Sequence, residues 1–230
     1  MDSFSAVFFD LDGTLLRETS AAQLLARAYD DVAFADFEAS YRVGRISNAE
    51  VASRSALYLA GHGIAEVAGI LEGGSWIKGI DDVMTALSRS QIVPVLATVS
   101  WDFVAEIVAH RYGFEAWCGT PMRRRGDTLT GDYGAVLEAD DKALFVARFC
   151  ARRGMALEDV AAVGDSRSDV AMFERVGYSI ALNADAQARA VASVSCETDD
   201  LRNLLPLVLP HPAEARRDGG RSSLPRPAAA

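Results

Sequence analysis

The chain has 230 residues, half of them hydrophobic, and a formal net charge of -9 at pH 7. It is long enough to bury a full core and to carry a small insert beside one main domain. The acidic balance disfavours a nucleic acid or an anionic membrane surface as partner, and the three cysteines have no spacing typical of a disulfide framework or a zinc site. We therefore expect a soluble cytoplasmic protein without a membrane span.

The first predicted strand, Ala6–Phe9, leads directly into two carboxylates. Asp10 and Asp12 are two residues apart, so in an extended chain their side chains project to the same side. Gly13 then allows the chain to turn. Such a pair can supply a nucleophile and a nearby acid/base for phosphoryl transfer. A turn rich in Asp and Gly, with no chemistry, is the alternative explanation of this motif taken alone.

Residues 16–77 carry a helical pattern and no strand pattern. Apolar residues recur at three- or four-residue spacing in four segments: 20–29, 34–41, 51–60 and 64–71. Ser47 and Glu50 are spaced as a capping box, which predicts the start of the third helix. The whole stretch is therefore predicted to be a helical insert.

From residue 78 onward helix and strand patterns alternate, which predicts an α/β fold with a parallel sheet and helices on both faces. The predicted strand 92–99 ends at Ser100, where open α/β sheets often bind phosphate oxygens, although an ordinary helix cap is the commoner use of serine. Lys142 begins an amphipathic helix. Its ammonium could neutralise a transferring phosphoryl group, and a solvated lysine at a helix start is the alternative.

Residues 160–163 form a second apolar strand, which ends in an acidic loop containing Asp165 and Asp169. If this strand lies next to the first one, the carboxylates of both converge at one edge of the sheet. Like charges about 4 Å apart repel by roughly 4 kcal/mol per pair at an effective dielectric constant near 20, so the cluster requires a cation. Oxygen ligands that leave room for water and a substrate phosphate favour Mg²⁺.

These motifs together resemble those of the haloacid dehalogenase-like superfamily, most of whose members are magnesium-dependent phosphatases. The resemblance spans residues 4 to about 205 and is carried, in chain order, by Asp10-x-Asp12-Gly-Thr14, Ser100, Lys142 and Gly164-Asp165-x-x-x-Asp169. It is strongest to phosphoserine-phosphatase-like members, which have a small helical cap between the first two motifs. The resemblance implies a Rossmann-like core of residues 1–15 and 78–205 and an inserted α-helical cap of residues 16–77.

The same resemblance implies a role for each motif residue. Asp10 would be the nucleophile that forms an aspartyl-phosphate, and Asp12 would be the general acid/base. Ser100 and Lys142 would hold the phosphoryl oxygens. The implied Mg²⁺ site consists of the Asp10 carboxylate, the Asp12 backbone carbonyl, Asp165 and, in support, Asp169. The substrate would be a small phosphorylated metabolite.

The residues that would contact the leaving group are less well defined by the sequence. Glu18, Arg54 and Trp101 are the candidates, and Trp76 is a further one; solvated helix charges are the alternative for Glu18 and Arg54. Phosphoserine phosphatases have Ser-Gly-Gly at the second motif, whereas this chain has Ser100-Trp101-Asp102. Phosphoserine, sugar, polyol and specialised-metabolite phosphates all stay open as substrates.

The sequence motifs are also compatible with two other classes of protein. Gly164-Asp165-Ser166-Arg167-Ser168 follows a strand as a nucleophile elbow does, so a metal-independent serine hydrolase could use Ser166 with His211 as base. A receiver-like module that accepts a phosphoryl group without turnover would also combine acidic residues, a hydroxyl group and a lysine around magnesium.

The last part of the chain differs in composition. Five of the seven prolines lie in residues 206–230, together with paired glycines and arginines. Such a segment cannot form a packed core, and we expect 206–230 to be a disordered tail without a catalytic role.

Overall fold

The computed structural model describes residues 4–31 and 33–209. Its strands are β1 (Ala6–Phe9), β2 (Val93–Trp101), β3 (Ala116–Thr120), β4 (Met122–Arg125), β5 (Thr128–Tyr133), β6 (Val160–Gly164), β7 (Tyr178–Leu182) and β8 (Val194–Cys196). Its helices are α1 (Ala21–Ala28), α2 (Phe34–Arg42), α3 (Asn48–Leu59), α4 (Ile64–Glu72), α5 (Ile80–Arg89), α6 (Asp102–Tyr112), α7 (Ala139–Arg153), α8 (Val170–Phe173), α9 (Ala186–Val191) and α10 (Leu205–Val208).

Six strands form one parallel sheet in the order β3-β2-β1-β6-β7-β8. All four residues of β1 are buried, and successive side chains alternate between the two faces. Val7 and Phe9 pack in one apolar cluster, whereas Ala6 and Phe8 pack in another. The sheet is therefore covered on both faces, and the predicted Rossmann-like α/β fold is confirmed.

The register of the central strands places the chemical motifs at one edge. Phe9 of β1 is paired with Leu96 of β2 on one side and with Val163 of β6 on the other. Because parallel strands point the same way, the residues that follow β1 and β6 emerge beside each other, next to the second half of β2. Asp10 and Asp165 are those residues.

Four helices, α1 to α4, lie between β1 and α5 in the chain, as the helical pattern of residues 16–77 predicted. The capping box of α3 is present: the Ser47 hydroxyl accepts from the Glu50 amide, and the Glu50 carboxylate accepts from the Ser47 amide. Phe34 is buried against α1 and α3 in a small apolar cluster. These helices thus have apolar contacts of their own, and their function as a cap over the core stays a prediction.

The antiparallel pair β4 and β5 contacts the helical insert. The Gly61 amide donates to the Leu129 carbonyl at 2.8 Å, and the Leu129 amide donates to the His62 carbonyl at 2.9 Å. The chain just after α3 is therefore attached to this hairpin through backbone hydrogen bonds.

The first residues of the segment predicted to be a disordered tail are helical in the structure. Residues 205–208 form α10, with Pro206 in its first turn, where the missing amide costs no helical hydrogen bond. Val208 is only 2% exposed and packs in the larger apolar cluster. The rest of that tail, residues 210–230, lies outside the described residues, and so does the proposed base His211. Within the described chain, the helices all lack the combined length and apolar character needed to span a bilayer.

Candidate active site

A buried lysine joins two carboxylates at the carboxyl edge of the sheet. The ammonium Nζ of Lys142 donates to Asp10 Oδ1 at 2.6 Å and to Asp169 Oδ1 at 2.7 Å. Lys142 and Asp169 are fully buried, and Asp10 is 3% exposed. A capping box between Glu138 and Asp141 starts α7 and places Lys142 in its first turn. The predicted proximity of Asp10 and Lys142 is thus present in the structure.

The charge of Lys142 is stabilised by the two carboxylates beside it, whereas burial and the Asp169 charge disfavour the anionic form of Asp10. Burial alone would lower the pKa of Lys142, but the neighbouring Asp10 and Asp169 carboxylates raise it above its ordinary value. Burial, followed by the nearby Asp169 charge, raises the pKa of Asp10 to about 6, while Lys142 acts in the opposite direction. At neutral pH Asp10 is therefore ionised beside an ammonium group.

The loop after β6 is held in place by Asp169. Its Oδ2 accepts hydrogen bonds from the amides of Asp165 and Ser166 at 3.0 and 3.1 Å. Gly164 permits this arrangement, because a Cβ atom there would lie 2.3 Å from the Asp169 Cγ. With Lys142 on its other oxygen, Asp169 has partners on both oxygens and acts as the anchor of the loop.

Three carboxylates come close enough to share a metal ion. One oxygen each of Asp10, Asp165 and Asp169 lies within 4.8 Å of the others. Burial first, and then the Asp10 and Asp169 charges, raise the pKa of Asp165 well above its ordinary value. The donors are all hard oxygens and their negative charge is incompletely compensated, so the cluster fits a divalent cation such as Mg²⁺.

Two neighbours of Asp165 orient its carboxylate. The Thr14 hydroxyl donates to Asp165 Oδ1 at 2.8 Å. Gly13 has a φ of +92°, and a Cβ atom at this position would lie 2.2 Å from Asp165 Oδ2. The turn after β1 therefore requires glycine both for its left-handed backbone and for the close approach of Asp165.

Asp12 has a separate environment. Its Oδ1 accepts a hydrogen bond of 2.7 Å from the Ala21 amide at the start of α1, so its carboxylate points to a helix N-terminus and is not part of the carboxylate cluster. Burial raises the pKa of Asp12 to about 7, although the Ala21 amide acts in the opposite direction. The pKa of Asp12 is therefore higher than that of Asp10, so Asp12 has the larger protonated fraction near neutral pH.

A cavity of about 420 Å³ opens over this cluster. The sheet edge contributes Asp10, Asp12, Thr98, Ser100, Thr120 and Asp165 to its lining. The helical insert contributes Ser20, Ala22, Glu38, Tyr41, Arg42, Asn48, Val51, Ala52 and Ser55. The predicted residues Asp10, Asp12, Ser100 and Asp165 thus line one cavity, with Lys142 buried behind them.

Only one of the predicted leaving-group contacts lies at this cavity. Trp101 lines it, and the Trp101 Nε1 donates to the Ser55 hydroxyl at 3.2 Å. Arg54 instead donates to Asp31 at 2.7 Å, and Trp76 donates through Nε1 to a backbone carbonyl at 2.9 Å. Glu18 is exposed with a left-handed backbone. The structure does not bring Arg54, Trp76 or Glu18 to the cavity lining.

Several lining residues were missed by the sequence interpretation. Glu38 is 7% exposed, its pKa is raised by burial, and it lies 3.6 Å from Arg42 one turn further along α2. Asn48 donates through Nδ2 to the Val99 and Leu137 carbonyls and so attaches α3 to the core. Arg167, in the loop after β6, was also missed. The spacing of Glu38 and Arg42 was the one available signal, and it is common on solvated helices.

The proposed serine nucleophile has no histidine partner within the described residues. Ser166 lines the cavity, and its hydroxyl is paired with the Ser168 hydroxyl at 3.0 Å. Of the histidines in the described ranges, His62 contacts Glu66 and His110 packs on Trp117. This geometry does not assemble a serine-histidine pair in that part of the chain.

Comparison with known proteins agrees with the geometry of the site. The profile of the haloacid dehalogenase-like hydrolases matches residues 7–174, and the chain belongs to this family. It is 29% identical to phosphoserine phosphatase SerB1 of Mycobacterium tuberculosis, over 84% of this chain and 69% of that protein. It is 25% identical to a phosphoserine phosphatase of Albidiferax ferrireducens, over 91% of this chain and 92% of that protein.

The fold is also similar to solved structures. A phospho-aspartyl intermediate analogue of phosphoserine phosphatase superposes with a TM-score of 0.78 at 22% identity, covering 90% of this chain and 100% of the other. The predicted resemblance to this superfamily, and to its phosphoserine-phosphatase-like members, is confirmed.

Proposed function

We propose that this chain is a Mg²⁺-dependent phosphomonoester hydrolase that forms an aspartyl-phosphate on Asp10 and acts on a small phosphorylated metabolite. The observation that carries the proposal is the cluster of Asp10, Lys142, Asp165 and Asp169 beneath a cavity. The relatives supply the reaction class, because two of them are phosphoserine phosphatases.

Asp10 is the nucleophile in this proposal. It is ionised at neutral pH and its Oδ1 is fixed by Lys142, so little reorganisation precedes attack on phosphorus. An ammonium has three N–H donors, of which Asp10 and Asp169 take two. From behind the cavity floor, the Lys142 charge next to Asp10 would offset negative charge on the phosphoryl group, and Ser100 on the cavity wall would supply a hydrogen-bond donor.

Asp12 is the general acid and base. Its pKa of about 7 leaves a substantial protonated fraction near neutral pH, which can protonate the leaving alcohol. The ionised form then accepts a proton from the water that hydrolyses the aspartyl-phosphate. The Ala21 amide holds the carboxyl group in one orientation during both steps.

Mg²⁺ would be held by the Asp10 and Asp165 carboxylates and the Asp12 backbone carbonyl, with Asp169 in a supporting position. A bound divalent cation would act there as a Lewis acid that neutralises phosphoryl charge. Asp169 anchors the loop through two amides and orients Lys142, and these contacts keep Asp165 directed at Asp10.

The helices of residues 16–77 would cap the cavity and enclose the leaving group, with residues 1–15 and 78–205 as the catalytic core. One structural neighbour holds an analogue of a phospho-aspartyl intermediate, which is the chemistry we propose for Asp10. Among the substrate candidates, Trp101 lines the cavity, whereas Glu18 and Arg54 would need a different arrangement of the helices to reach it. The free thiols of Cys118, Cys150 and Cys196 agree with the cytoplasmic location that we propose.

The direct test is a phosphate-release screen over amino-acid, sugar and polyol phosphates, with and without EDTA, on the wild type, Asp10→Asn and Asp140→Asn. Asp140 is an exposed carboxylate of α7 and serves as the matched control. We expect Mg²⁺-dependent turnover by the wild type and Asp140→Asn and none by Asp10→Asn. Equal activity of Asp10→Asn would exclude its role as nucleophile.

The same screen separates the two other classes. EDTA-resistant esterase activity that is lost in His211→Ala would favour the serine hydrolase. A phosphoprotein that persists without release of phosphate would favour the receiver-like module.

A further inference from the structure

Arg167 differs from the other cations at the cavity in its charge environment. Arg42 lies 3.6 Å from the Glu38 carboxylate, and Lys142 is paired with two carboxylates behind the cavity floor. Among residues 4–31 and 33–209, Arg167 has no carboxylate at ion-pair distance, although it lines the cavity. A guanidinium group stays protonated at every physiological pH. The cavity thus holds one positive charge that protein carboxylates do not neutralise by direct contact.

The guanidinium of Arg167 is fixed against the helical insert. Its Nη2 donates to the backbone carbonyl of Tyr41 at 2.9 Å, and its Cζ lies 4.6 Å from the centroid of the Tyr41 ring. The carbonyl belongs to the last turn of α2, where the helix dipole favours a cation. Arg167 is therefore held by two contacts with one residue and is preorganised for a ligand.

One donor of this guanidinium is left without a partner. The Nε atom is buried and makes no hydrogen bond within the described part of the chain. A buried N–H group without an acceptor is unfavourable, so the guanidinium gains when a small shift of the side chain brings this donor to an oxygen atom of a ligand. A planar guanidinium is suited to carboxylate and phosphate oxygens in particular.

The position of Arg167 determines which part of the substrate it can reach. Its backbone follows Asp165 by two residues, but its guanidinium lies against Tyr41, on the wall that the helical insert forms. In-line attack by Asp10 puts the leaving group on the far side of phosphorus, in the cavity that this wall helps to line. The transferring phosphoryl group already has Lys142 beside Asp10, so Arg167 is available for a second anionic group.

We propose that Arg167 binds an oxyanion on the leaving group, either a carboxylate or a second phosphate, and so makes the enzyme selective for phosphate esters of acidic alcohols. This inference rests on the function proposed above and adds a specificity-determining residue to it. It depends on the unpaired charge, the buried Nε and the contact with Tyr41.

The test compares pairs of esters that differ in one anionic group. O-Phosphoserine is paired with O-phosphoethanolamine, and 3-phosphoglycerate with glycerol phosphate, for the carboxylate. Fructose 1,6-bisphosphate is paired with fructose 6-phosphate for the second phosphate. We expect the wild type to have a higher kcat/KM for the acidic ester than for its neutral partner, either in the carboxylate pairs or in the bisphosphate pair. A preference in the carboxylate pairs identifies the anion as a carboxylate, and a preference in the bisphosphate pair identifies it as a phosphate.

The variant is Arg167→Gln, and Arg175→Gln is its matched control. Arg175 is an exposed arginine just beyond α8, outside the cavity lining, so both variants lose one positive charge. In Arg167→Gln the ratio of kcat/KM between acidic and neutral esters should fall about 10- to 100-fold, as expected for the loss of a charge-assisted hydrogen bond, and mainly through KM. In Arg175→Gln the ratio should stay at the wild-type value. Arg167→Lys, which keeps the charge but not the Nε donor, should retain part of the ratio.

Three results would overturn the inference. One is a wild type that cleaves neutral esters as well as acidic ones. Another is an Arg167→Gln variant that loses activity equally on both members of each pair, because that is the effect of a role in phosphoryl binding or in packing α2. The third is a wild type that cleaves no ester with Mg²⁺ present, and this result alone also overturns the proposed function.

Discussion

Lys142 Nζ donates to Asp10 Oδ1 at 2.6 Å and so joins two buried residues that are 132 positions apart in the chain. The same ammonium contacts Asp169, so a single positive charge holds the ends of three separate segments. A buried ion pair of this kind contributes little net stability when intact, but the loss of one partner leaves an uncompensated charge. The buried ion pair therefore contributes mainly to the geometry of the site, and the fold depends on Lys142 to compensate the two carboxylates.

Lys142→Met should lower the free energy of unfolding by about 3–5 kcal/mol at pH 8, because Asp10 and Asp169 then face each other without a cation. The penalty should shrink as the pH falls. Without Lys142 the pKa of Asp10 lies above the value of about 6 that it has in the wild type, and protonation of a group with a raised folded-state pKa favours the folded state. Urea unfolding between pH 5 and 8 measures both effects.

Lys78→Met is the matched control, since Lys78 is the other lysine of the chain and its ion pair with Asp199 is exposed. Its unfolding midpoint should equal that of the wild type at every pH. A Lys142→Met protein as stable as Lys78→Met in EDTA would contradict the central role of the buried pair.

Asp12 should determine the alkaline limb of the pH profile. An acid must be protonated to act, so kcat/KM for an alkyl phosphate should fall as the pH rises through the Asp12 pKa of about 7. It should also fall as the pH drops below about 6, where Asp10 becomes protonated. Asp12→Asn should lower kcat by about 10²- to 10⁴-fold and remove the alkaline limb.

Profiles measured from pH 5 to 9 on an alkyl phosphate and on p-nitrophenyl phosphate provide the check. Nitrophenolate leaves without a proton, so the loss in Asp12→Asn should be smaller on that ester. An alkaline limb that persists in Asp12→Asn would assign the proton transfer to a different group.

Much of this site follows from the sequence because it depends on the backbone. Strands β1 and β6 are recognisable as short apolar runs, and a parallel sheet brings the residues after them to one edge whatever their side chains. The strand pattern of the sequence is therefore enough to predict that Asp10 and Asp165 lie together. Lys142 could be included because it lies in the first turn of the long helix α7, which its periodicity predicts.

The cavity wall of the helical insert could not be predicted in the same way. A charged residue on an amphipathic helix has the same sequence pattern whether it faces solvent or a cavity, and only tertiary packing decides between them. Arg54 was predicted to contact the substrate and is instead paired with Asp31, whereas Glu38 was not predicted and is buried at the cavity. Arg167 lies in a recognised motif, but its contact with Tyr41 depends on where α2 packs.

Gly13 should be irreplaceable for a reason other than its backbone angle. Gly13→Ala places a Cβ atom 2.2 Å from Asp165 Oδ2, so the carboxylate must leave its present position. Turnover should fall by at least about 100-fold and the half-saturating Mg²⁺ concentration should rise, since a displaced ligand weakens the site. Steady-state kinetics over a range of Mg²⁺ concentrations measures both quantities.

Gly61→Ala is an informative comparison, because Gly61 has nearly the same φ, +91°, and no atom within 4 Å of the added Cβ. Both variants incur the cost of a left-handed alanine, about 1–2 kcal/mol. Only Gly13→Ala should lose Mg²⁺ affinity. Equal losses of activity in the two variants would show that backbone strain alone accounts for the effect.

Asp165→Asn should separate the effect of the carboxylate cluster on folding stability from its effect on Mg²⁺ binding. In EDTA at pH 8 the variant should unfold at a higher urea concentration than the wild type, because the pKa of Asp165 is raised by burial and by two neighbouring carboxylates. Thr14 can still donate to the amide oxygen, so the loop keeps its hydrogen bond. A raised folded-state pKa means that stability is lost as the pH increases, and the difference between the two proteins should therefore close as the pH falls toward 4.

Mg²⁺ should make the wild type more stable to urea than Asp165→Asn, the reverse of the order in EDTA. A ligand present at about 100 times its dissociation constant stabilises the folded state by about 2.7 kcal/mol, and the wild type should gain this while Asp165→Asn gains much less. Urea unfolding of the wild type, Asp165→Asn and the exposed control Asp140→Asn, each in EDTA and in Mg²⁺, measures this reversal. If Asp165→Asn gained as much from Mg²⁺ as the wild type, the ion would have to bind elsewhere, and the carboxylate cluster would be a purely structural feature stabilised by Lys142.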